Sequence, residues 1–139
     1  MIPPQRIAAI IAKAQTAPCI DAVGIDLLEF DEGFIKLTAR HDPRFNGVLP
    51  GFHGGMLAMV ADCVAWFAIV TQTGPDEPLV TTDLDVRYLN PCMGDVTAEG
   101  RVIKLGKTLC PVEVRMSDAA DKLVAIATVT YIRVGNLGS

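Results

Sequence analysis

The apolar positions near the start of the chain follow the period of a helix. Four of them recur at the spacing of one helix face, namely Ile7, Ile10, Ile11 and Ala14. Pro3 and Pro4 precede them, and proline is tolerated in a first helical turn because the N–H groups there have no helical acceptor. The spacing predicts a short amphipathic helix that ends before Pro18 and covers an edge or end of the core.

From Cys19 the pattern becomes that of strands. The runs IDAVGIDLLEF and GFIKLTAR flank DEG, whose Gly33 can adopt a positive φ, and this predicts a β-hairpin. The next segment, HDPRFNGVLPG, is rich in Pro, Gly and Asn and predicts a loop. After residue 78, four strand-like runs are separated by the turn signals PCMGD, GKT and DAADK. Their regular spacing predicts an antiparallel meander.

Between these strand regions lies the most apolar segment, Phe52–Val70, which ends where Gly74 and Pro75 supply a stop signal. A helix that is apolar on nearly every face must be surrounded by the rest of the protein. We therefore expect an α+β fold in which a curved, antiparallel six-stranded sheet wraps around this helix. Open sheet edges are often covered by a second subunit, so we expect at least a homodimer.

The composition gives no support for a nucleic-acid-binding, membrane-bound or secreted protein. The 139 residues fit one domain, 1–139, with a single core. The net charge of −4 and the pI of about 5.0 give no general electrostatic reason to bind nucleic acid or an anionic membrane. The first residues lack a secretion signal, and the apolar run Met56–Val70 is shorter than the roughly 20 residues that span a bilayer. A soluble, cytoplasmic protein is expected.

The four cysteines are widely scattered and form no C-x-x-C pair or zinc-binding spacing. They are expected to be free thiols that pack as small apolar groups in a reducing compartment. No metal and no cofactor is expected. With only two histidines and no G-x-S-x-G motif, a Ser-His-Asp hydrolase is disfavoured, and P-loop and dinucleotide-binding motifs are also absent.

Asp62 is the unusual residue of the apolar helix. Its neighbours along the chain and on the adjoining turns are apolar: Ala58, Met59, Val60, Ala61, Cys63, Val64, Ala65, Trp66 and Ile69. A carboxylate in such surroundings costs several kcal/mol unless it is paired or hydrated. An isolated acid of this kind is a candidate functional residue.

His53, Gly54 and Gly55 mark the start of the same helix. Glycine is poor inside helices, whereas at a helix start its free N–H groups can approach a carbonyl oxygen and stabilise negative charge on it. Asp62 lies nine residues after His53, on the order of 10 Å along a helix. This distance is too long for both to act on one carbonyl, although two antiparallel helices in a dimer could bring them together.

The central part of the chain resembles hotdog-fold acyl-CoA thioesterases of the phenylacetate-degradation type, through the segment NGVLPGFHGGMLAMVADCVAWFA. The resemblance extends over about Phe34 to Arg133 and includes the segments TTDLDVRYLNP, GRVIKLGKTLCPVEVRMSD and KLVAIATVTYI. The resemblance implies a hotdog fold, dimers with one continuous sheet that often pair into tetramers, and active sites at the dimer interface. It also implies hydrolysis of an acyl- or aryl-CoA thioester, with coenzyme A entering only as part of the substrate.

The resemblance also implies roles for individual residues. The Gly55 N–H would polarise the thioester carbonyl, and Asp62 of the other subunit would be the general base or the nucleophile. Asn46 would help to position the water or substrate, His53 would shape the site beside the carbonyl, and Thr81 would orient the water. One base and one donor suffice for this chemistry, because a thioester is already activated.

The substrate would be held by further residues. Gly54 would lie beside the carbonyl, and the acyl group would lie along Phe52, Met59 and Trp66. The phosphates of CoA need cations, for which the turn residues Lys104 and Lys107 are the main candidates and Arg87 and Arg115 are others. Asp85 is expected to face solvent, as strand acids usually do.

Two other functions remain open. A hotdog hydratase or dehydratase would pair a histidine with an acid, and this chain has both, but His53 lies directly before Gly-Gly, as in thioesterases. A non-catalytic acyl-CoA-binding domain would gain nothing from Asp62.

Overall fold

The structure describes residues 1–136 of the chain. In this computed structural model the helices and strands follow in the order α1 (Pro4–Gln15), α2 (Pro18–Ala22), β1 (Ile25–Asp31), β2 (Phe34–Ala39), α3 (Gly54–Thr73), β3 (Leu79–Tyr88), β4 (Val96–Val102), β5 (Leu109–Ser117) and β6 (Leu123–Arg133). Short 3₁₀ turns follow β2 at Pro43–Phe45 and β6 at Val134–Asn136.

The six strands form one sheet in the order β1-β2-β4-β5-β6-β3, and every neighbouring pair is antiparallel. The sheet packs against α3, and α1 lies on the helix as well. This is the hotdog arrangement, and it confirms the expected fold class. The hairpin of β1 and β2 is also confirmed, with Gly33 at φ 70° in its turn.

The core lies between α3 and the central strands. Val60, Val64 and Phe67 of α3 are fully buried. A side chain at Gly100 of β4 would place its Cβ 2.6 Å from Val64 Cγ1, so the glycine is what allows the helix to lie this close to the sheet. Thr71 ties the helix to the hairpin, because its hydroxyl donates to the Ala68 carbonyl at 2.6 Å and accepts from the Gly33 N–H at 2.8 Å.

α3 is longer than the apolar run that marks it in the sequence. Its 20 residues and its mean hydropathy of 1.7 are sufficient to cross a membrane by length and composition, which corrects the expectation drawn from Met56–Val70. Most of this helix is buried by the protein's own strands and by α1. Core helices of this kind meet the same criteria of length and apolarity as membrane spans.

The segment from Ile20 to Gly24 was predicted to begin the first strand, and that prediction was wrong. Its first residues belong to α2, a short helix with Pro18 in its first turn, and Gly24 at φ 60° precedes β1. Proline at the start of a helix has its φ already set to the helical value, and this local preference outweighs the strand-like composition of the segment.

The predicted meander holds for β4, β5 and β6 but not for β3. β3 lies outside β6, with Thr81 opposite Tyr131, and β4 inserts beside β2. The burial pattern explains the difference, since alternate residues of β4 and β5 are fully buried, whereas most residues of β3 are exposed. β3 is therefore an edge strand, and its outer edge has no strand partner within residues 1–136.

The predicted N-terminal helix is confirmed, and it covers the end of α3. Ile10 and Ala14 are its buried residues, and the Arg6 guanidinium donates to the carbonyls of Thr71 at 3.1 Å and Gln72 at 3.0 Å. A cation at a helix C-terminus also stabilises the helix dipole. The cysteines are free thiols as predicted: Cys63, Cys92 and Cys110 are buried and Cys19 is exposed.

Candidate active site

Asp62 lies on the second turn after the start of α3, where the helix is only half covered. Its Oδ1 accepts a hydrogen bond of 2.7 Å from the hydroxyl of Thr81 on the edge strand β3. No other hydrogen bond to its carboxylate oxygens is found among the described residues, although the Tyr131 hydroxyl lies close enough to interact with the carboxylate. The structure thus brings together two predicted site residues and leaves one carboxylate oxygen available to a substrate or water.

Two buried groups support this pair. The Tyr131 hydroxyl donates to the main-chain carbonyl of Asp62 at 3.0 Å, and burial raises the pKa of Tyr131, so the phenol remains a donor. Burial, reinforced by the nearby Cys19 thiol and the Asp62 carboxylate, also raises the pKa of Cys63 to about 12. Around Asp62 the protein therefore provides neutral donors, and among the described residues no cation forms an ion pair with its carboxylate, although Lys13 lines the adjoining cavity.

Asp62 and Thr81 lie at the wall of a cavity of about 460 Å³, a size typical of small-molecule sites. We call it the Asp62 cavity. The remaining lining is mostly apolar and comes from α1, α2, α3, β3 and β6: Lys13, Thr16, Ala17, Cys19, Ile20, Cys63, Trp66, Leu79, Val80 and Tyr131. Trp66, which the sequence indicated as an acyl contact, is part of this lining.

His53 caps the start of α3. Its Nδ1 accepts the N–H of Gly55 at 2.8 Å, which requires a neutral ring with its proton on Nε2. The Gly55 N–H, which was expected to polarise a carbonyl, is thus already used within the chain. The N–H groups of Gly54 and Met56 have no acceptor among the described residues, and that of Gly54 is the first of the helix.

Tyr88 holds the same peptide unit from the other side. Its hydroxyl donates to the Gly54 carbonyl, whose peptide carries the N–H that His53 accepts. Partial burial raises the pKa of Tyr88, which keeps the phenol a donor. Together the two side chains fix the first turn of α3. Phe52, Gly54, Leu57 and Tyr88 also line a cavity of about 380 Å³ at this point.

Asn46 lies at the helix start rather than beside Asp62. His41 Nε2 is 2.6 Å from Asn46 Oδ1, and the His41 ring lies 5.8 Å from that of Phe52. The next residue, Gly47, packs against the His53 ring, since a Cβ there would lie 3.0 Å from the ring carbon. The predicted residues therefore fall into two groups, one at the helix start and one at the Asp62 cavity.

The predicted cations lie outside both groups. Lys104 and Lys107 are exposed in the connection between β4 and β5. Arg87 and Arg115 share a shallow depression on the outer face of the sheet with Asp85 and Glu113, and the acids offset their charge. Asp85 is exposed, as predicted.

Reasoning from the sequence missed three residues of these groups: His41, Tyr88 and Tyr131. Each is a polar aromatic side chain in an otherwise ordinary loop or strand, so local pattern offers no distinguishing signal. The pairing of β3 with β6 is what places Tyr131 opposite Thr81. Among residues 1–136 no three His, Cys, Asp or Glu side chains are grouped so that they could hold a metal ion.

Comparison with known proteins agrees with the fold. The model of the thioesterase superfamily matches residues 51–133, which include α3 and β3 to β6. A protein of Saccharolobus solfataricus, provisionally named an esterase, is 35% identical over 102 residues, which cover 72% of this chain and 70% of that protein.

Two more distant relatives extend the comparison. The 1,4-dihydroxy-2-naphthoyl-CoA hydrolase of Listeria monocytogenes is 22% identical over 111 residues, covering 79% of this chain and 90% of its own. The E. coli PaaI protein, from the phenylacetic acid degradation operon, has the same fold, with a TM-score of 0.85 at 22% identity over 96% of both chains. The chain therefore belongs to the thioesterase superfamily and is a thioester hydrolase with the hotdog fold.

Proposed function

We propose that the protein hydrolyses acyl- or aryl-CoA thioesters to the free acid and CoA, at sites completed by a second copy of the chain. The observation that carries this proposal is the Asp62 carboxylate, which is paired with the Thr81 hydroxyl at the wall of an apolar cavity. A mere binding site for an apolar acyl group would have no use for a carboxylate there, because burying a charge is costly.

In the proposed reaction Asp62 is the general base. Its free carboxylate oxygen takes a proton from water while the water oxygen attacks the thioester carbonyl carbon. Thr81 donates to the other oxygen and so orients the carboxylate. The tetrahedral intermediate then collapses, the C–S bond breaks with its electron pair on sulfur, and the thiolate of CoA takes up the proton.

The carbonyl oxygen needs a donor, and we assign this role to the Gly54 N–H rather than to that of Gly55. The Gly55 N–H is bonded to His53, whereas the Gly54 N–H is free and points out from the positive end of α3. His53 and Tyr88 act as positioning residues that hold the adjoining peptide. Asn46, held by His41, supplies a further amide beside this donor.

The two groups must come from different subunits. Gly54 and Asp62 are eight residues apart on one helix, about 12 Å along its axis. The half-covered face of α3 carries Met59, Asp62 and Trp66, and it lies beside the open edge of β3. A second copy that pairs along β3 would cover both features and bring its own helix start to Asp62. We therefore propose a homodimer, with a tetramer as the possible next assembly.

The CoA part of the substrate would lie outside the apolar cavity, where Lys104 and Lys107 can meet its phosphates. Both lysines are exposed, and a lysine is a common point-charge partner of phosphate. This assignment predicts that charge removal at these positions raises KM for the CoA thioester and leaves kcat nearly unchanged.

The proposal is tested by Asp62→Asn, with Asp85→Asn as the matched control because Asp85 is an exposed acid on the outer face. Release of free thiol from a panel of acyl-CoA and aryl-CoA thioesters is measured together with the dimer mass by light scattering. Asp62→Asn should lower kcat by about 10²–10⁴-fold, the usual contribution of a general base, with the dimer intact. Asp85→Asn should hydrolyse the panel at the wild-type rate.

If the Asp62→Asn dimer kept near-normal turnover, Asp62 would not be the general base. Hydration of an enoyl-CoA by the wild type without thiol release would favour the hydratase alternative. The geometry disfavours that alternative, because His53 Nδ1 is already engaged in the helix cap by the Gly55 N–H.

A further inference from the structure

A second and larger cavity, of about 650 Å³, lies beside the Asp62 cavity. It is bordered by α1, α2, β1 and α3 and by Arg40 just after β2, it is partly open to solvent, and its apolar lining includes Ile11, Ile25, Leu27 and Phe67. We call it the distal cavity, because neither Asp62 nor Thr81 lines it.

The two cavities share one wall. Thr16, Ala17 and Ile20, in and around the connection between α1 and α2, line both of them. α3 passes along both: Trp66 lines the Asp62 cavity, Phe67 lines the distal cavity, and the two rings are in edge contact with centroids 5.1 Å apart. The cavities are therefore consecutive spaces along the same helix, divided by the α1–α2 connection.

Of the shared residues, Ile20 has the bulk to close the passage. Ala17 is small, and the Thr16 hydroxyl is bonded to the Lys13 carbonyl at 2.7 Å. Ile20 is half-buried and packs against the core. It is the residue whose side-chain volume determines whether the two spaces communicate.

The chemistry of the distal cavity suits the end of a hydrocarbon chain. Its inner lining is apolar, whereas its charged groups, Asp21, Asp26 and Arg40, are exposed at its rim. Their mixed signs give no preference for a charged terminal group. An apolar chain would gain from leaving water, and each further buried methylene tightens binding by about fourfold.

We propose that the two cavities form one acyl channel, that the enzyme accepts long, saturated acyl chains through it, and that Ile20 determines the accepted chain length. This rests on the proposed function, because it assumes that the reacting carbonyl lies at Asp62. Short acyl and aryl groups would fill the Asp62 cavity alone. Longer chains would pass beneath the α1–α2 connection into the distal cavity.

The test uses Ile20→Trp, with Ile103→Trp as the matched control, since Ile103 is exposed and lines neither cavity. Binding of butyl-, octyl- and dodecyl-CoA thioethers, which cannot be hydrolysed, is measured by calorimetry. Hydrolysis of the corresponding acyl-CoA thioesters is measured by thiol release. The binding assay tests the channel independently of catalysis. If no thioester is hydrolysed but the binding pattern is as expected, the proposed function is wrong and the channel still stands.

For the wild type and for Ile103→Trp we expect dodecyl-CoA to bind at least about tenfold more tightly than butyl-CoA. Ile20→Trp should abolish this gain. Leu27→Trp, which fills only the distal cavity, should abolish the gain and change butyl-CoA binding by less than about twofold. An equal loss for every chain length in Leu27→Trp, or no gain beyond butyl-CoA in the wild type, would overturn the proposal.

Discussion

One face of α3 packs against the sheet and the opposite face is left half covered, although both consist mainly of apolar residues. On the packed face Val64 and Phe67 are fully buried. On the open face Met59 and Trp66 are only half-buried, and Asp62 lies between them. The difference shows that the apolar character of a helix does not reveal which side stabilises the fold and which is available to a substrate or a second subunit.

The neighbouring aromatic residues Phe67 and Trp66 give the sharpest test of this contrast. Phe67→Ala should lower the free energy of unfolding by about 3–5 kcal/mol, as for other fully buried aromatic residues. Trp66→Ala should cost less than half as much, because its ring is half exposed, and should mainly raise KM for the thioester. Urea denaturation and thiol release measure the two effects, and equal losses of stability would contradict the assignment of the two faces.

Thr81→Val should remove a polar contact of the open face while keeping the shape of the side chain. It removes the hydrogen bond to the Asp62 carboxylate, and such bonds to charged groups contribute about 1.5–3 kcal/mol. We expect kcat to fall about tenfold to hundredfold, with a smaller change in KM. Thr82→Val, at the exposed neighbouring position, is the control. If both variants turned over at the same rate, Thr81 would have no part in orienting Asp62.

The smallest expected effect is a pH dependence of stability from Cys63, which lies on the border between the two faces. Its pKa is 9.0 in the reference state and about 12 in the folded protein. Above about pH 9 the unfolded chain loses this proton while the folded protein keeps it, so stability falls by about 1.4 kcal/mol per pH unit.

This contribution should disappear in Cys63→Ala, whose alkaline slope becomes shallower than that of the wild type. Cys19→Ala removes a neighbouring thiol that helps raise the pKa of Cys63, so its alkaline slope should be no steeper than that of the wild type. Urea unfolding between about pH 8 and about pH 10 with a reductant present measures the slopes. Identical slopes in all three proteins would show that the Cys63 thiol is hydrated in the folded state.

Much of this molecule follows from local pattern. The helical spacing of Ile10 and Ala14, the turn at Gly33, and the isolated acid at Asp62 all predicted features that the structure contains. The pairing of Thr81 with Asp62 came from the family resemblance, and the structure places the two in contact. The Gly-Gly start of α3 was also predicted. The acceptor of the Gly55 N–H, which is His53 Nδ1, was not predicted, because this hydrogen bond depends on the rotamer of His53.

The failures have a common physical cause. The last residues of α2 were predicted as part of a strand because composition was weighed above the preference of Pro18 for a helix start. The position of β3 could not be deduced from spacing, because strand order depends on how the connections pass around α3. Residues that act through long-range contacts, such as Tyr88 and Tyr131, become visible only when those connections are known.

The sequence by itself determined the helices α1 and α3 and the segments that form strands after α3, that α3 must be enclosed, and that a carboxylate would stand among its apolar residues. These follow from periodicity and burial, which depend on near neighbours in the chain. Only the tertiary structure decided that β3 is an edge strand beside α3, that Thr81 faces Asp62, and that the α1–α2 connection divides two cavities. Such contacts join residues far apart in sequence, and their geometry is set by packing of the whole fold.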